Sequence, residues 1–216
     1  MRQGSFARRG QRYSPPFKAR HPNRGLCLLR HRITFIARVP AAKLNSNLMS
    51  ESLAFTVGAD RSTVYDEIVP QIESLVDGET DVVANLANVA AILKEAFGYF
   101  WVGFYLVKGE QLVLGPFQGS LACTRINFGQ GVCGHAYTTR ETVVVPDVDE
   151  FPGHIACASA SRSEIVVPII DRSGKCVGVL DVDSDRLDDF NQADADGLGR
   201  VVNVIERIMQ GHMIPG

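Results

Sequence analysis

The apolar positions of this 216-residue chain change period several times, and each change marks an element. From Asp60 onward, Val64, Tyr65, Ile68, Ile72, Leu75 and Val76 recur at helical spacing, with Pro70 expected to kink or reset the helix. After Gly78, a second helix capped by Thr80 presents Val83, Leu86, Val89, Ala90, Leu93 and Phe97 as one stripe, and Gly98 is placed as its stop. Residues 99–107 are rich in aromatic and β-branched side chains. With residues 111–114, across Lys108-Gly109-Glu110, they read as a hairpin. Further strands are predicted at 142–145, 164–170 and 175–183, the last two joined by the turn Asp171-Arg172-Ser173-Gly174. Residues 116–139 and 147–163 carry no strand period and are expected to be long loops, a setting in which function concentrates. A closing helix from about Asn191 turns Leu198, Val201, Val202, Ile205 and Ile208 inward and stops near Gly211. This order predicts an α/β chain of the α+β kind: a mostly antiparallel sheet with helices packed on it.

Charge divides the chain. Of 22 Lys and Arg, eleven lie in residues 1–48, which hold none of the 24 Asp and Glu. The length suits one domain, placed at 49–212, and that domain is strongly acidic. An acidic body lacks the cationic footprint that nucleic acid or an anionic membrane would require. The leader 1–48 is expected to be disordered. It reads either as an organelle transit peptide or as a start set too early, with Met49-Ser50-Glu51 the alternative beginning. Its apolar stretch 26–39 is interrupted by Arg30, His31, Arg32 and Arg38, so neither a secretory signal nor a membrane span is expected. Five cysteines, an odd number without a secretory signal, argue for a reducing compartment such as the cytoplasm and against a structural disulfide framework.

Three of those cysteines fall in the two irregular stretches, in Leu121-Ala122-Cys123-Thr124-Arg125, Gly131-Val132-Cys133-Gly134-His135 and Gly153-His154-Ile155-Ala156-Cys157. A thiolate becomes reactive beside positive charge, which His154 and Arg162 offer to Cys157, and a second thiol within reach resolves its sulfenic acid as a disulfide. The alternative is that all three are small buried hydrophobes, the class to which Cys176 is assigned. Cys123, Cys133, His135, His154 and Cys157 match no ordinary zinc spacing, and no metal is expected. Alternation along 99–107 puts Trp101, Gly103 and Tyr105 on one face. Gly103 would leave between the rings a gap suited to a thioether, unless both rings are simply core. Asp181 and Asp183 share a face and Glu164 opens a strand. The three acids either converge on one cavity, raising one another's pKa, or sit solvated at strand ends.

Phe100-Trp101-Val102-Gly103-Phe104-Tyr105, Gly115-Pro116-Phe117-Gln118-Gly119, Ala122-Cys123, Gly129-Gln130-Gly131-Val132-Cys133-Gly134, Phe151-Pro152-Gly153-His154-Ile155-Ala156-Cys157 and Ser161-Arg162-Ser163-Glu164-Ile165-Val166 together closely resemble the free methionine-R-sulfoxide reductases, a branch of the GAF-domain family. The likeness spans about Tyr65 to Ile208. It implies a GAF-like fold and a set of roles. Cys157 would attack the sulfoxide sulfur, and Cys123 and Cys133 would be the resolving thiols, their order open. Glu164, Asp181 and Asp183 would protonate the sulfoxide oxygen and bind the amino end of the substrate. Trp101 and Tyr105 would wall its methyl-thioether end. The resemblance further implies recycling by thioredoxin and a homodimer, and requires no metal or flavin cofactor. Two rivals stand beside it: a non-catalytic GAF sensor of a small molecule or of oxidation, and a peroxide-reducing thiol enzyme. A ligand sensor has no need of three loop thiols and an acid cluster.

Overall fold

The computed structural model describes residues 52–153 and 160–209; the basic leader, His154, Cys157 and the expected stop near Gly211 lie outside the described residues. Asp60 accepts a hydrogen bond from the Thr63 N–H and starts α1, Arg61–Val76. The helix runs on through Pro70 without being reset, and Pro70 is exposed. Asp81 starts α2, Val82–Phe97, by accepting from the Ala84 N–H, and Gly98 closes it in the left-handed conformation. Asp81 therefore replaces Thr80 as the cap, and the buried stripe begins at Val82 and leaves Val83 exposed. Leu75 of α1 is likewise exposed, because Val76 takes the inward position.

The strands are β1, Trp101–Lys108; β2, Gln111–Gln118; β3, Arg125–Asn127; β4, Val143–Val145; β5, Ser163–Ile170; and β6, Cys176–Ser184. They form one sheet in the order β3-β2-β1-β6-β5-β4, antiparallel at every pairing. A nine-residue helix, α3 (Gly131–Thr139), stands between β3 and β4, a single 3-10 turn spans Val148–Glu150, and α4 (Gln192–Met209) closes the described chain. The α+β architecture matches the expectation. The stretch 116–139 does not, because it supplies the end of β2, all of β3 and all of α3.

One sheet separates two apolar cores. On one face, Val102, Phe104, Leu106, Ile165, Val167, Ile169, Leu180 and Val182 pack against α1, α2 and α4. The opposite face brings Trp101, Tyr105, Val166 and Val179 against Val132, Cys133 and Ala136 of α3, with Leu112, Ile126, Val145 and Val148 around them. Both faces of β1 and β5 are thus buried, which is why these strands read as near-continuous apolar runs. The second, smaller core contains the polar groups of interest.

Candidate active site

Cross-strand register assembles the acids. Glu164 on β5 stands opposite Asp183 on β6, which stands opposite Trp101 on β1; one step along the same face, Asp181 stands opposite Gly103. Directly opposed side chains have Cβ atoms about 5 Å apart, and like charges there repel. Glu164 and Asp181 are each 6% exposed and Asp183 9%. Three carboxylates on one buried face are the convergent arrangement, and the solvated alternative does not hold.

Burial first, then the negative charge of neighbouring Asp181 and Asp183, drives Glu164 well above the usual carboxylate range. Asp181 is raised by burial and by the charge of Asp183. Burial also raises Asp183, but only to about 6, because the Ser161 hydroxyl donates to its Oδ1 at 2.5 Å and favours its ionised form. Asp181 Oδ1 is shut away from solvent with no hydrogen-bond partner. A buried polar atom left without a partner is expensive, on the order of 1–3 kcal/mol, so it marks a place where a hydrogen-bonding group from outside the protein would be welcome.

Cys133 sits on the first turn of α3 rather than in an irregular loop. Its thiol points at Glu164 Oε1, 4.0 Å away, and burial with the facing Asp181 and Glu164 raises its pKa. Gly134 allows this placement: a Cβ there would stand 2.6 Å from the Asn127 carbonyl oxygen, so only glycine lets α3 lie this close to β3. His135, the next residue, is exposed and meets the edge of Phe151.

Trp101 and Tyr105 share the sheet face of the acids, their ring centroids 6.1 Å apart, and Phe117 stacks on Trp101 at 5.4 Å. The gap expected above Gly103 is filled. A Cβ on Gly103 would fall 2.4 Å from Phe117 Cβ and 2.6 Å from the indole, because strand side chains lean along the strand. The polar tips of both aromatics hold one loop: Trp101 Nε1 donates to the Ser120 carbonyl at 3.1 Å and the Tyr105 hydroxyl to the Cys123 carbonyl at 3.0 Å. Cys123 is half-buried and disulfide-bonded, whereas Cys133 and Cys176 are free thiols. Cys176 hydrogen-bonds to the Gly178 carbonyl within β6, consistent with its assignment to packing.

Of the eight residues to which the resemblance gives roles, seven fall in or beside this core, and the eighth, Cys157, lies outside the described residues. Arg162 is exposed, and its backbone joins Val148 to Ser184. Sequence reasoning overlooked Ser161 and Phe117. Both stand in quoted motifs, but a lone serine and a lone phenylalanine carry no spacing signal that separates them from ordinary strand-end and core residues.

The GAF domain model matches residues 48–209. The chain is 52% identical over 159 residues to GAF domain-containing protein A of Dictyostelium discoideum, covering 73% of this chain and 99% of that protein. It is 37% identical to the free methionine-R-sulfoxide reductase of Saccharomyces cerevisiae, covering 73% of this chain and 92% of that one. Among solved structures, the free methionine-R-sulfoxide reductase of Neisseria meningitidis in complex with its substrate is 58% identical, with a TM-score of 0.70 over 73% of this chain and 94% of its own. The buried acids, the paired aromatics and these likenesses agree: the chain belongs to the free methionine-R-sulfoxide reductases of the GAF-domain family.

Proposed function

We propose that the protein reduces free L-methionine-R-sulfoxide to L-methionine through a cysteine relay. The observation that carries this reading is the buried carboxylate trio on the sheet face of Trp101 and Tyr105, with one oxygen of Asp181 unpartnered. A free amino acid brings an ammonium group that answers such a cluster and a sulfoxide oxygen that accepts a proton from it. Asp183, the most readily ionised of the three, takes the ammonium; Glu164 and Asp181, held protonated, face the sulfoxide oxygen. Trp101 and Tyr105 wall the methyl-thioether end.

Cys157 attacks the sulfoxide sulfur while a carboxylic acid protonates the oxygen. The oxygen passes to Cys157, which becomes a sulfenic acid, and methionine leaves with its sulfur reduced by two electrons. A second thiol then attacks the sulfenic sulfur, forming a disulfide and releasing the oxygen as water. Cys123 is the first resolving thiol in this scheme and Cys133 the second, a choice favoured by the disulfide-bonded state of Cys123 beside a free Cys133. A dithiol protein of the thioredoxin type reduces the disulfide. The cytoplasm supplies that reductant, and among the described residues no helix is long and apolar enough to cross a membrane. The working unit is a homodimer of domains spanning 49–212, with residues 1–48 a basic leader outside the catalytic fold.

A site that binds the amino group selects the free amino acid over a methionine-sulfoxide residue inside a peptide, whose nitrogen is an uncharged amide. Comparing free methionine-R-sulfoxide with the same group blocked as an N-acetyl amide tests this. Turnover of the free form at least 100-fold faster is expected, and equal rates would overturn the assignment.

A further inference from the structure

Cys133 Sγ, one oxygen of Glu164 and one of Asp181 all lie within 4.8 Å of one another. All three residues are buried, and Asp181 Oδ1 has no hydrogen-bond partner. One sulfur and two carboxylate oxygens, fixed by α3, β5 and β6, form a preorganised triangle of donors in which one carboxyl group leaves an oxygen unpartnered. We propose that in the reduced protein this triangle binds a thiophilic divalent cation of the zinc class, through the Cys133 thiolate, Glu164 and Asp181, and that the cation takes the place of the sulfoxide oxygen that these two acids face. The second half rests on the reading of Glu164 and Asp181 as the acids that face that oxygen; the first half does not.

The donor set selects the metal. Thiolate favours zinc and cadmium over magnesium and calcium, which take oxygen ligands alone. Around a tetrahedral zinc with bonds of roughly 2.0 Å to oxygen and 2.3 Å to sulfur, the ligand atoms stand roughly 3.2–3.6 Å apart. Side-chain rotations that move the donors by about 1 Å bring them to that spacing, leaving the fourth position to water. Binding forms a metal–sulfur bond and breaks the Cys133 S–H bond. That proton, with any on Glu164 or Asp181, passes to solvent, and no electron is transferred. A bound cation would therefore hold Cys133 out of thiol exchange and inhibit in competition with substrate, and oxidation of Cys133 would release it.

The test is a cadmium titration of the full chain carrying Cys27→Ser, Cys123→Ser and Cys157→Ser, so that Cys133 and Cys176 are the remaining thiols. It is followed by the ultraviolet absorption of the cadmium–thiolate bond and by proton release, with folding of each variant checked by circular dichroism. One cadmium per chain is expected, with the absorption lost on Cys133→Ser and kept on Cys176→Ser. Asp181→Asn, which retains the thiol, should weaken binding at least about tenfold, and free methionine-R-sulfoxide, which a chain without Cys157 does not reduce, should displace the ion. Absorption that survives Cys133→Ser, or affinity unchanged in Asp181→Asn, overturns the site; the latter comparison decides even if Cys133→Ser fails to fold. Cadmium bound by these criteria but not displaced by methionine sulfoxide overturns the shared seat and, with it, the reading of Glu164 and Asp181 as the acids that face the sulfoxide oxygen.

Discussion

Glu164, Asp181 and Asp183 are costly residues for a folded chain to keep. Asp183 holds its proton up to about pH 6 when folded, against an ordinary aspartate value of 3.8. The folded state thus gains from this proton below pH 3.8 and loses that gain as pH rises through 6, a difference on the order of 3 kcal/mol for this group. Glu164 and Asp181, raised further, extend the loss to higher pH. Glu164→Gln removes one of these groups. It should flatten the decline of melting temperature between pH 6 and 9 while lowering kcat at least about 100-fold, the range for a lost general acid. A variant both less stable at alkaline pH and fully active would contradict the account. The same pKa order sets a pH profile: with Asp183 as the ammonium's anion, KM for free methionine sulfoxide should rise as pH falls below 6. A KM constant from pH 5 to 8 would remove Asp183 from that role. The trio itself was legible from three positions on predicted strands, because period-2 alternation fixes which face each residue takes. Their burial was not legible, since it depends on α3 covering them.

That helix and β3 were the elements the sequence concealed. α3 is nine residues long with two glycines and buries Val132, Cys133, Gly134 and Ala136 along much of its length, so it shows neither the length nor the stripe that announces a helix. β3 is three residues long, too short for alternation to register. By contrast α2 and α4 announced themselves through sustained apolar stripes, and the shifts at Asp81 and Val82 are the one-residue ambiguity that two adjacent valines and two adjacent cap candidates permit. The closeness of α3 to β3 makes a prediction. Gly134→Ala places a Cβ against the Asn127 and Gly129 backbone, so α3 must shift, at about 1–3 kcal/mol and several degrees of melting temperature, read by thermal denaturation. An unchanged melt would mean that the helix is not seated as described. The loop from Gly119 to Thr124 was legible only as irregular chain, because its anchors are side-chain tips reaching from β1. Tyr105→Phe keeps the ring and deletes the hydrogen bond to the Cys123 carbonyl. Disulfide formation after one turnover should slow several-fold, while the first release of methionine proceeds at the wild-type rate. Equal slowing of both steps, followed by rapid quench, would assign Tyr105 to substrate contact alone.

Across the whole molecule, a single sheet carries a structural core on one face and the reactive core on the other. The structural side ends in its own polar network. Arg61 bridges Asp194, which is fully buried, at 2.8 Å and Asp189 at 2.9 Å, and Asp189 accepts from the Ser184 hydroxyl one residue past Asp183. Arg61→Met would leave Asp194 buried without its ion partner. Loss of about 2–4 kcal/mol is expected in chemical denaturation, at or just below the range for a broken buried pair because Arg61 is partly exposed. The division of labour explains why fold and family were readable together. The apolar periods specify the structural face, and the quoted motifs carry the residues of the reactive one. The most direct test of the central claim is methionine formation from the R and S epimers of free methionine sulfoxide, measured separately with thioredoxin and its reductase, for the wild-type chain and Cys157→Ser. Turnover of the R epimer alone, abolished by the substitution, is the predicted result. Turnover of neither epimer by folded, reduced protein, or R turnover that survives Cys157→Ser, would contradict it.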